Sequence, residues 1–252
     1  MPVAADPSFG SLEAAVAFGV ILLVAFLVTW VVTDLLRVPR APYVATLTVV
    51  TLALAAGYLS WSETSFVDLA TTDWVWAIAA GLVAGLVVAP GVRRLQPHER
   101  RHGSALAMQL AWEGVIYGIA EGLLLATLPV LAVWHAAEDL GWTDSFWPKI
   151  GAGAFTVVGA LVVIVVHHLG YRGFRGAAAR PRLMGALLGC GLQALAFLLT
   201  GNVLAPIVAH IVLHWQMAFR GVELPPEAGS RATPGVEPQT ASWMPEALAP
   251  AR

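Results

Sequence analysis

The sequence contains very little cysteine and very little charge. Cys190 is the only cysteine among 252 residues, so no disulfide can form within the chain and no cysteine-based metal site can be built. Charged residues make up 12% of the chain, and the net charge is −2. With most of its arginines in short loops, the chain lacks the features of a nucleic-acid-binding protein. The first residues, MPVAADPSFGSLE, have no basic segment, so we expect no secretory signal peptide.

The chain is instead rich in hydrophobic residues. Hydrophobic residues make up 58% of the chain, more than a soluble domain of this length can bury. A run of about 20 apolar residues crosses the hydrocarbon core of a membrane as a helix. We therefore predict an all-α, polytopic membrane bundle of about seven transmembrane helices. The predicted spans are 14–36, 42–60, 74–92, 104–133, 149–169, 182–200 and 202–219.

The loops between these spans alternate in charge. Acidic residues predominate before the first span and in every second loop, whereas arginines follow the first, third, fifth and seventh spans. Because arginine and lysine accumulate on the cytoplasmic side, we predict an outside N-terminus and a cytoplasmic C-terminus. The expected location is a bacterial plasma membrane, with the lipid bilayer as the surrounding partner.

The composition changes after residue 220. Residues 221–252 contain six prolines and no periodic apolar pattern, which is typical of a disordered segment. The sequence therefore predicts two parts: a transmembrane domain over 1–220 and a disordered cytoplasmic tail over 221–252.

Ionisable side chains inside membrane spans are costly and are therefore candidates for function. The fourth span carries Glu113, Tyr117 and Glu121 at a spacing of four, which places them near one face of a helix. The fifth span ends in two histidines, and the seventh carries two more on one face. They are His167, His168, His210 and His214.

Depth along each span predicts which of these groups meet. At about 1.5 Å per residue, Glu113 lies roughly 13 Å and Glu121 roughly 25 Å from the cytoplasmic end of the fourth span. His168, His210 and His214 all fall in the cytoplasmic half of the membrane. We therefore expect Glu113 to converge with these histidines, and Glu121 to lie apart from them toward the outer side.

The order of these residues resembles that of the CAAX-protease and bacteriocin-processing family of intramembrane proteases. That family has the motifs EExxxR, FxxxH and HxxxN, each on its own span. The similar stretches here are AWEGVIYG (111–118), VVIVVHHLGY (162–171) and GNVLAPIVAHIVLH (201–214). The resemblance covers about 104–218, the predicted protease-like core. It departs from the motifs at the first glutamate, the arginine, the phenylalanine and the asparagine, which are replaced by Trp112, Tyr117, Val163 or Ile164, and His214.

The resemblance implies an intramembrane endopeptidase that acts on a membrane-associated peptide or protein. In the family, the glutamate and the first histidine activate a water molecule, and the third motif stabilises the oxyanion. The catalytic candidates are then Glu113, His168, His210 and His214, with His167 as the alternative to His168. Because Trp112 replaces the first glutamate, a non-catalytic descendant that acts as a scaffold or a proton-relaying transporter stays open.

Metal and haem binding are further alternatives. His168, His210 and His214 would suit zinc, whereas a water activated by glutamate and histidine needs no metal. The stretch HERRH (98–102) also fits the zinc signature HExxH, with His98 and His102 as ligands, although its place in an arginine-rich loop favours a solvated basic segment. His168 paired with His210 or His214 could instead ligate a b-type haem.

Overall fold

The computed structural model describes residues 9–95, 97, 100–176 and 179–222. Eight helices form this part of the chain, and it contains no strand. They are α1 (Ser11–Leu35), α2 (Arg40–Trp61), α3 (Phe66–Thr71), α4 (Trp74–Arg93), α5 (Gly103–Asp139), α6 (Phe146–Gly170), α7 (Arg180–Thr200) and α8 (Leu204–Arg220). The residues of the predicted tail from 223 onward lie outside the described residues.

Six of these helices are long and apolar enough to cross a membrane: α1, α2, α4, α5, α6 and α7. Runs of 20 to 37 residues with few charges are long enough to cross the hydrocarbon core, so the chain is an integral membrane helix bundle. The predicted all-α fold class is confirmed. The predicted seventh span is α8, which has 17 residues and a length of about 26 Å.

Reporter fusions can test directly whether α8 crosses the membrane. If it spans the membrane, the chain crosses seven times, and reporter fusions at residues 5 and 235 should report opposite sides of the membrane. The arginine pattern further predicts that residue 235 is cytoplasmic. A reporter at residue 62, after α2, should report the same side as residue 5. Finding residues 5 and 235 on one side would contradict the seven-span topology.

The arginine-rich loops meet at one end of the bundle. Arg220 Nη2 donates to the carbonyl oxygen of Arg93 at 3.0 Å, which joins the ends of α8 and α4. Arg175 Nη1 donates to Asp34 Oδ2 at 2.8 Å, which joins the loop after α6 to the end of α1. We call this end, marked by Arg93, Arg175 and Arg220, the basic end.

Helix α5 is the central helix. In its most apolar stretch 83% of the residues are buried inside the bundle, compared with 28–39% in the other five long helices. The predicted span 104–133 is longer in the structure, because the helix continues beyond Pro129 to Asp139. A π-helical stretch, Gly122–Thr127, ends two residues before the proline and changes the backbone bonding there. A second π-helical stretch covers Leu110–Ile116.

Three glycines on α5 let α8 approach closely. Gly114 lies against Trp215, Gly118 against Ile211 and Gly122 against Ile207. A Cβ added at Gly122 would lie 2.9 Å from the Ile207 Cα, so only glycine fits this backbone contact. The small residues at this interface therefore let the two helices pack closely. Each step of four residues along α5 corresponds to four residues back along α8, so the two helices are antiparallel in a fixed register.

This contact predicts a measurable loss of stability. Replacing Gly122 by Ala should destabilise the protein by about 1–3 kcal/mol, because the added methyl group must push the backbone of α8 away. Gly57→Ala is the matched control: nothing lies within 4 Å of a Cβ at Gly57. There the change should be neutral or stabilising by less than about 1 kcal/mol. Thermal unfolding of the detergent-solubilised variants measures both effects, and equal effects would argue against the close packing.

Candidate functional site

The carboxylate of Glu121 is surrounded by three histidines. Its Oε2 atom lies 2.8 Å from His214 Nε2 and 3.9 Å from His210 Nε2, and its Oε1 atom lies 3.8 Å from His167 Nε2. All four side chains are buried, and Glu121 itself is 7% exposed. They come from three helices: α5 carries the glutamate, α6 carries His167, and α8 carries the other two. We call these four residues the Glu–His cluster.

The sequence placed Glu113 here and Glu121 apart, and the arrangement found is the reverse. Glu113 lies at the basic end, 4.0 Å from Arg101 Nη1, where its carboxylate also accepts from Gln109 Nε2 at 3.4 Å. Its side chain is 20% exposed. The glutamate that belongs with the histidines is therefore Glu121.

The depth count failed because α5 begins beyond the other helices. None of the residues of Gly103–Gln109 is buried, so the first two turns do not belong to the packed bundle. The carbonyl oxygen of Leu110, the residue that follows these turns, accepts from Trp215 Nε1 of α8 at 3.1 Å. Counting depth from residue 104 therefore overestimated the distance of every group on this span from the basic end.

The register between α5 and α8 accounts for the pairing of Glu121 with His214. The glycine contacts set Glu121 opposite Val208 and Glu113 opposite Gln216. Side chains on a helix incline toward its N-terminus, and these two helices are antiparallel. Glu121 and His214 therefore lean toward each other along the helix axes and meet, although their backbones are about six residues apart in register.

The two adjacent histidines on α6 have different surroundings. The sequence favoured His168 as the catalytic match and kept His167 as the alternative. His168 Nδ1 donates to the carbonyl oxygen of Ile164 at 2.8 Å, and its ring packs against Phe174 at 4.7 Å between centroids. His167 faces Glu121 instead. Because neighbouring residues on a helix point about 100° apart, only one of the two histidines can face the cluster.

We assign the tautomers from the hydrogen bonds of the ring nitrogens. His167 Nδ1 lies 3.2 Å from the carbonyl oxygen of Ala25, which can only accept, so we place the hydrogen on Nδ1, with Thr29 Oγ1 at 3.0 Å as a second acceptor, and leave Nε2 bare. His210 Nδ1 likewise donates to a carbonyl oxygen four residues earlier in its own helix, at 3.3 Å. His214 is the opposite tautomer, because its Nε2 donates to the Glu121 carboxylate. Two bare nitrogens and one N–H group therefore point at Glu121.

This arrangement sets two hydrogen-bond acceptors against each other. His167 Nε2 and Glu121 Oε1 both carry lone pairs and are 3.8 Å apart, and His167 Nε2 has no hydrogen-bond partner among the described residues. Two acceptors at this separation do not bond directly, but both can accept from one molecule with two hydrogens. Water is the smallest such molecule.

A chain of hydroxyl groups that the sequence analysis did not identify connects to the cluster. Thr29 Oγ1 lies 3.0 Å from His167 Nδ1 and 3.4 Å from the Tyr43 hydroxyl. The Tyr43 hydroxyl lies 2.5 Å from that of Tyr171, which lies 3.0 Å from that of Tyr117. Tyr117 was noted for its spacing on α5. Tyr171 ends the stretch that resembles the second family motif, whereas Thr29 and Tyr43 lie in helices without a motif, so only the tertiary structure identifies these two.

Cys190 on α7 is a further buried neighbour. Its Sγ atom lies 3.8 Å from His210 Nε2, and the thiol is the donor because that nitrogen is bare. His210 therefore lies between the thiol and the Glu121 carboxylate. The single cysteine thus touches the cluster from a fourth helix.

Of the possible zinc ligands His168, His210 and His214, the structure brings only the last two together. His168, one of the expected zinc ligands, is bonded to its own helix. In the part of the chain that the structure describes, no group of three or more histidine, cysteine, aspartate or glutamate residues is placed to hold a metal ion. Within the HERRH stretch, His102 is exposed at the start of α5. His98 and Glu99 lie outside the described residues.

One sequence signal could have identified Glu121. The glutamate motif EExxxR can also be placed with its first glutamate at Glu121, so that Gly122 and Ala126 stand at the second glutamate and the arginine. This placement keeps the first glutamate, which the placement at 112–117 loses. Both placements miss the arginine, so the sequence offered no clear choice between them.

Comparison with known proteins gives no matching family model, no matching curated protein and no matching solved structure. The class of this protein is therefore defined by its own fold and site. It is an all-α integral membrane bundle with a buried glutamate, on its most buried helix, that faces three histidines.

Proposed function

We propose that this chain is an intramembrane endopeptidase in which Glu121 and His167 activate a water molecule. The observation that carries the proposal is the pair of opposed acceptors, His167 Nε2 and Glu121 Oε1, 3.8 Å apart in the buried interior. A water molecule that donates to both has its lone pairs free to attack a carbonyl carbon. The substrate is a peptide segment of a membrane-associated protein that enters the bundle from the lipid bilayer.

In the proposed reaction, one proton moves from the water to Glu121 and then to the departing nitrogen. The water gives one proton to the Glu121 carboxylate, and its oxygen forms a bond to the carbonyl carbon of the substrate. The carbonyl oxygen becomes an oxyanion. When the C–N bond breaks, Glu121 returns the proton to the departing nitrogen, which leaves an amine and a new carboxyl group. Glu121 thus acts first as base and then as acid.

His214 supplies the donor for the oxyanion. Its Nε2–H group is the one cluster N–H directed at the reacting region, and in the free protein it is held by the Glu121 carboxylate at 2.8 Å. Once Glu121 takes up a proton, this bond weakens and the N–H group is available to the developing negative charge. The low polarity of the surrounding bundle strengthens each of these interactions relative to water. The bare Nε2 of His210 accepts from the Cys190 thiol and lies 3.9 Å from Glu121 Oε2, so it makes no hydrogen bond to the carboxylate.

Cleavage in isotopically labelled water tests this proposal. Purified protein is incubated with detergent-solubilised membrane proteins in H₂¹⁸O, with and without a metal chelator, and new peptide termini are identified by mass spectrometry. We expect new C-termini that contain ¹⁸O, equal cleavage with chelator, and cleavage at least about 100-fold lower with Glu121→Gln. Loss of cleavage with chelator would point to a metal instead. A folded wild-type protein that produces no new termini would contradict the proposal.

The hydroxyl chain favours a second candidate function, proton relay. The hydroxyl groups of Thr29, Tyr43, Tyr171 and Tyr117 lead from His167 toward the basic end, where the Arg40 guanidinium lies 4.2 Å from the centre of the Tyr117 ring. Chains of this kind can pass protons between a buried acid and the membrane surface. In this case Tyr171→Phe and Glu121→Gln should both abolish a proton flux in proteoliposomes, and neither wild type nor variants should cleave peptides.

A further inference from the structure

Gln193 on α7 is buried without any hydrogen bond. Its side chain is 1% exposed, and neither its Oε1 nor its Nε2 atom has a partner among the described residues. A carboxamide in an apolar bundle is unfavourable unless its donors and acceptor are satisfied. Gln193 therefore contributes no polar contact to the folded bundle, and the amide needs another explanation.

The position of Gln193 along α7 places it level with the Glu–His cluster. It lies three residues after Cys190, so the two side chains are neighbours on one face of α7. Cys190 contacts His210, and α7 and α8 are antiparallel across the short turn at 201–203. Gln193 is therefore level with Ile207, which itself packs against Gly122, the residue after Glu121.

The packing of α7 agrees with this placement. The helix contacts the stretch Gly122–Thr127 of α5 as well as α8. Side chains on α7 incline toward its N-terminus, the basic end, and Glu121 on α5 inclines the same way. The amide and the carboxylate thus extend from neighbouring helices at one depth.

We propose that Gln193 binds the backbone of the substrate next to the bond that is cleaved. This inference rests on the proposed function, since it assigns the ligand of that same site. An extended peptide offers one carbonyl oxygen and one N–H group per residue. A carboxamide complements both, because its Nε2–H donates to the carbonyl oxygen and its Oε1 accepts from the N–H group. The ligand class is therefore an extended peptide whose backbone, rather than a particular side chain, is recognised.

Two buried amides, Gln193 and Asn202, can be compared to separate an effect on the substrate from an effect on the fold. Gln193→Met keeps the length of the side chain and removes the amide. Because that amide has no internal bond, the unfolding midpoint should stay the same or rise, while kcat/KM for peptide cleavage should fall at least tenfold. Asn202→Leu is the control: Asn202 Nδ2 donates to the Thr72 carbonyl oxygen at 2.6 Å, and its Oδ1 accepts from Leu204 N at 2.8 Å. This change should lower the unfolding midpoint.

Peptide binding provides a readout that does not require cleavage. A fluorescein-labelled peptide of alternating alanine and leucine is titrated in bicelles against Glu121→Gln protein and against Glu121→Gln/Gln193→Met. We expect the second protein to bind at least tenfold more weakly, and a peptide with N-methylated backbone amides to bind both equally weakly.

Each outcome decides between the two proposals. If Gln193→Met binds and cleaves like the unchanged protein, or loses stability without losing binding, the assignment of Gln193 is wrong. If no peptide binds at all, it is also wrong. If Gln193 controls binding but no cleavage occurs in wild type, the Gln193 assignment stands and the hydrolytic function fails.

Discussion

Replacing Glu121 by Gln should lower peptide cleavage at least about 100-fold, the scale expected when a general base is lost. The carboxamide keeps an oxygen that can accept from His214 Nε2, so the fold should be preserved. It cannot take a proton from water, so the attacking oxygen would have to be an intact water molecule. The measurement is kcat/KM of purified, folded protein in detergent or bicelles.

Glu113→Gln is the matched control for this prediction. It makes the same chemical change on the same helix, two turns nearer the basic end, where the carboxylate is partly exposed and lies near Arg101. We expect less than a tenfold loss, because a surface ion pair contributes little. If Glu113→Gln were the more damaging change, the catalytic carboxylate would have to be Glu113, as the sequence alone suggested.

His167→Asn should lower cleavage by a similar factor, about 100-fold, because it removes the bare nitrogen that accepts from the attacking water. Asparagine is chosen because its side-chain N–H group can replace Nδ1–H in the bond to the Ala25 carbonyl oxygen. The change therefore removes Nε2 and keeps the local bonding. Activity per folded molecule is the quantity to compare, with the unfolding midpoint measured in parallel.

The neighbouring residue provides the control. His168→Asn makes the same substitution one position along α6, where the ring packs on Phe174 and bonds to its own helix. It should leave kcat/KM within a few-fold of wild type. Equal losses for both variants would indicate a general effect of disturbing the end of α6. A larger loss for His168→Asn would favour the match made from the sequence.

The fold class followed from the sequence because it depends on local properties. Long apolar runs with few charges can only be buried in lipid or in each other, and in lipid the backbone must be helical to satisfy its own hydrogen bonds. The alternation of arginine-rich loops likewise predicted that these loops share one end, and the contacts of Arg220 with Arg93 and of Arg175 with Asp34 agree. The choice of histidine and glutamate as candidate residues also needed only their cost in a membrane.

Which carboxylate meets the histidines was decided by the tertiary structure. Depth on a helix has meaning only relative to its neighbours, and the register of α5 against α8 is set by contacts such as Gly118 with Ile211, between residues far apart in the sequence. The start of α5 extends beyond the bundle, which no local pattern in the sequence reveals. The choice of His167 over His168 depended on the rotation of α6, because a turn of about 100° per residue lets packing against α1 and α5 select one of two identical side chains.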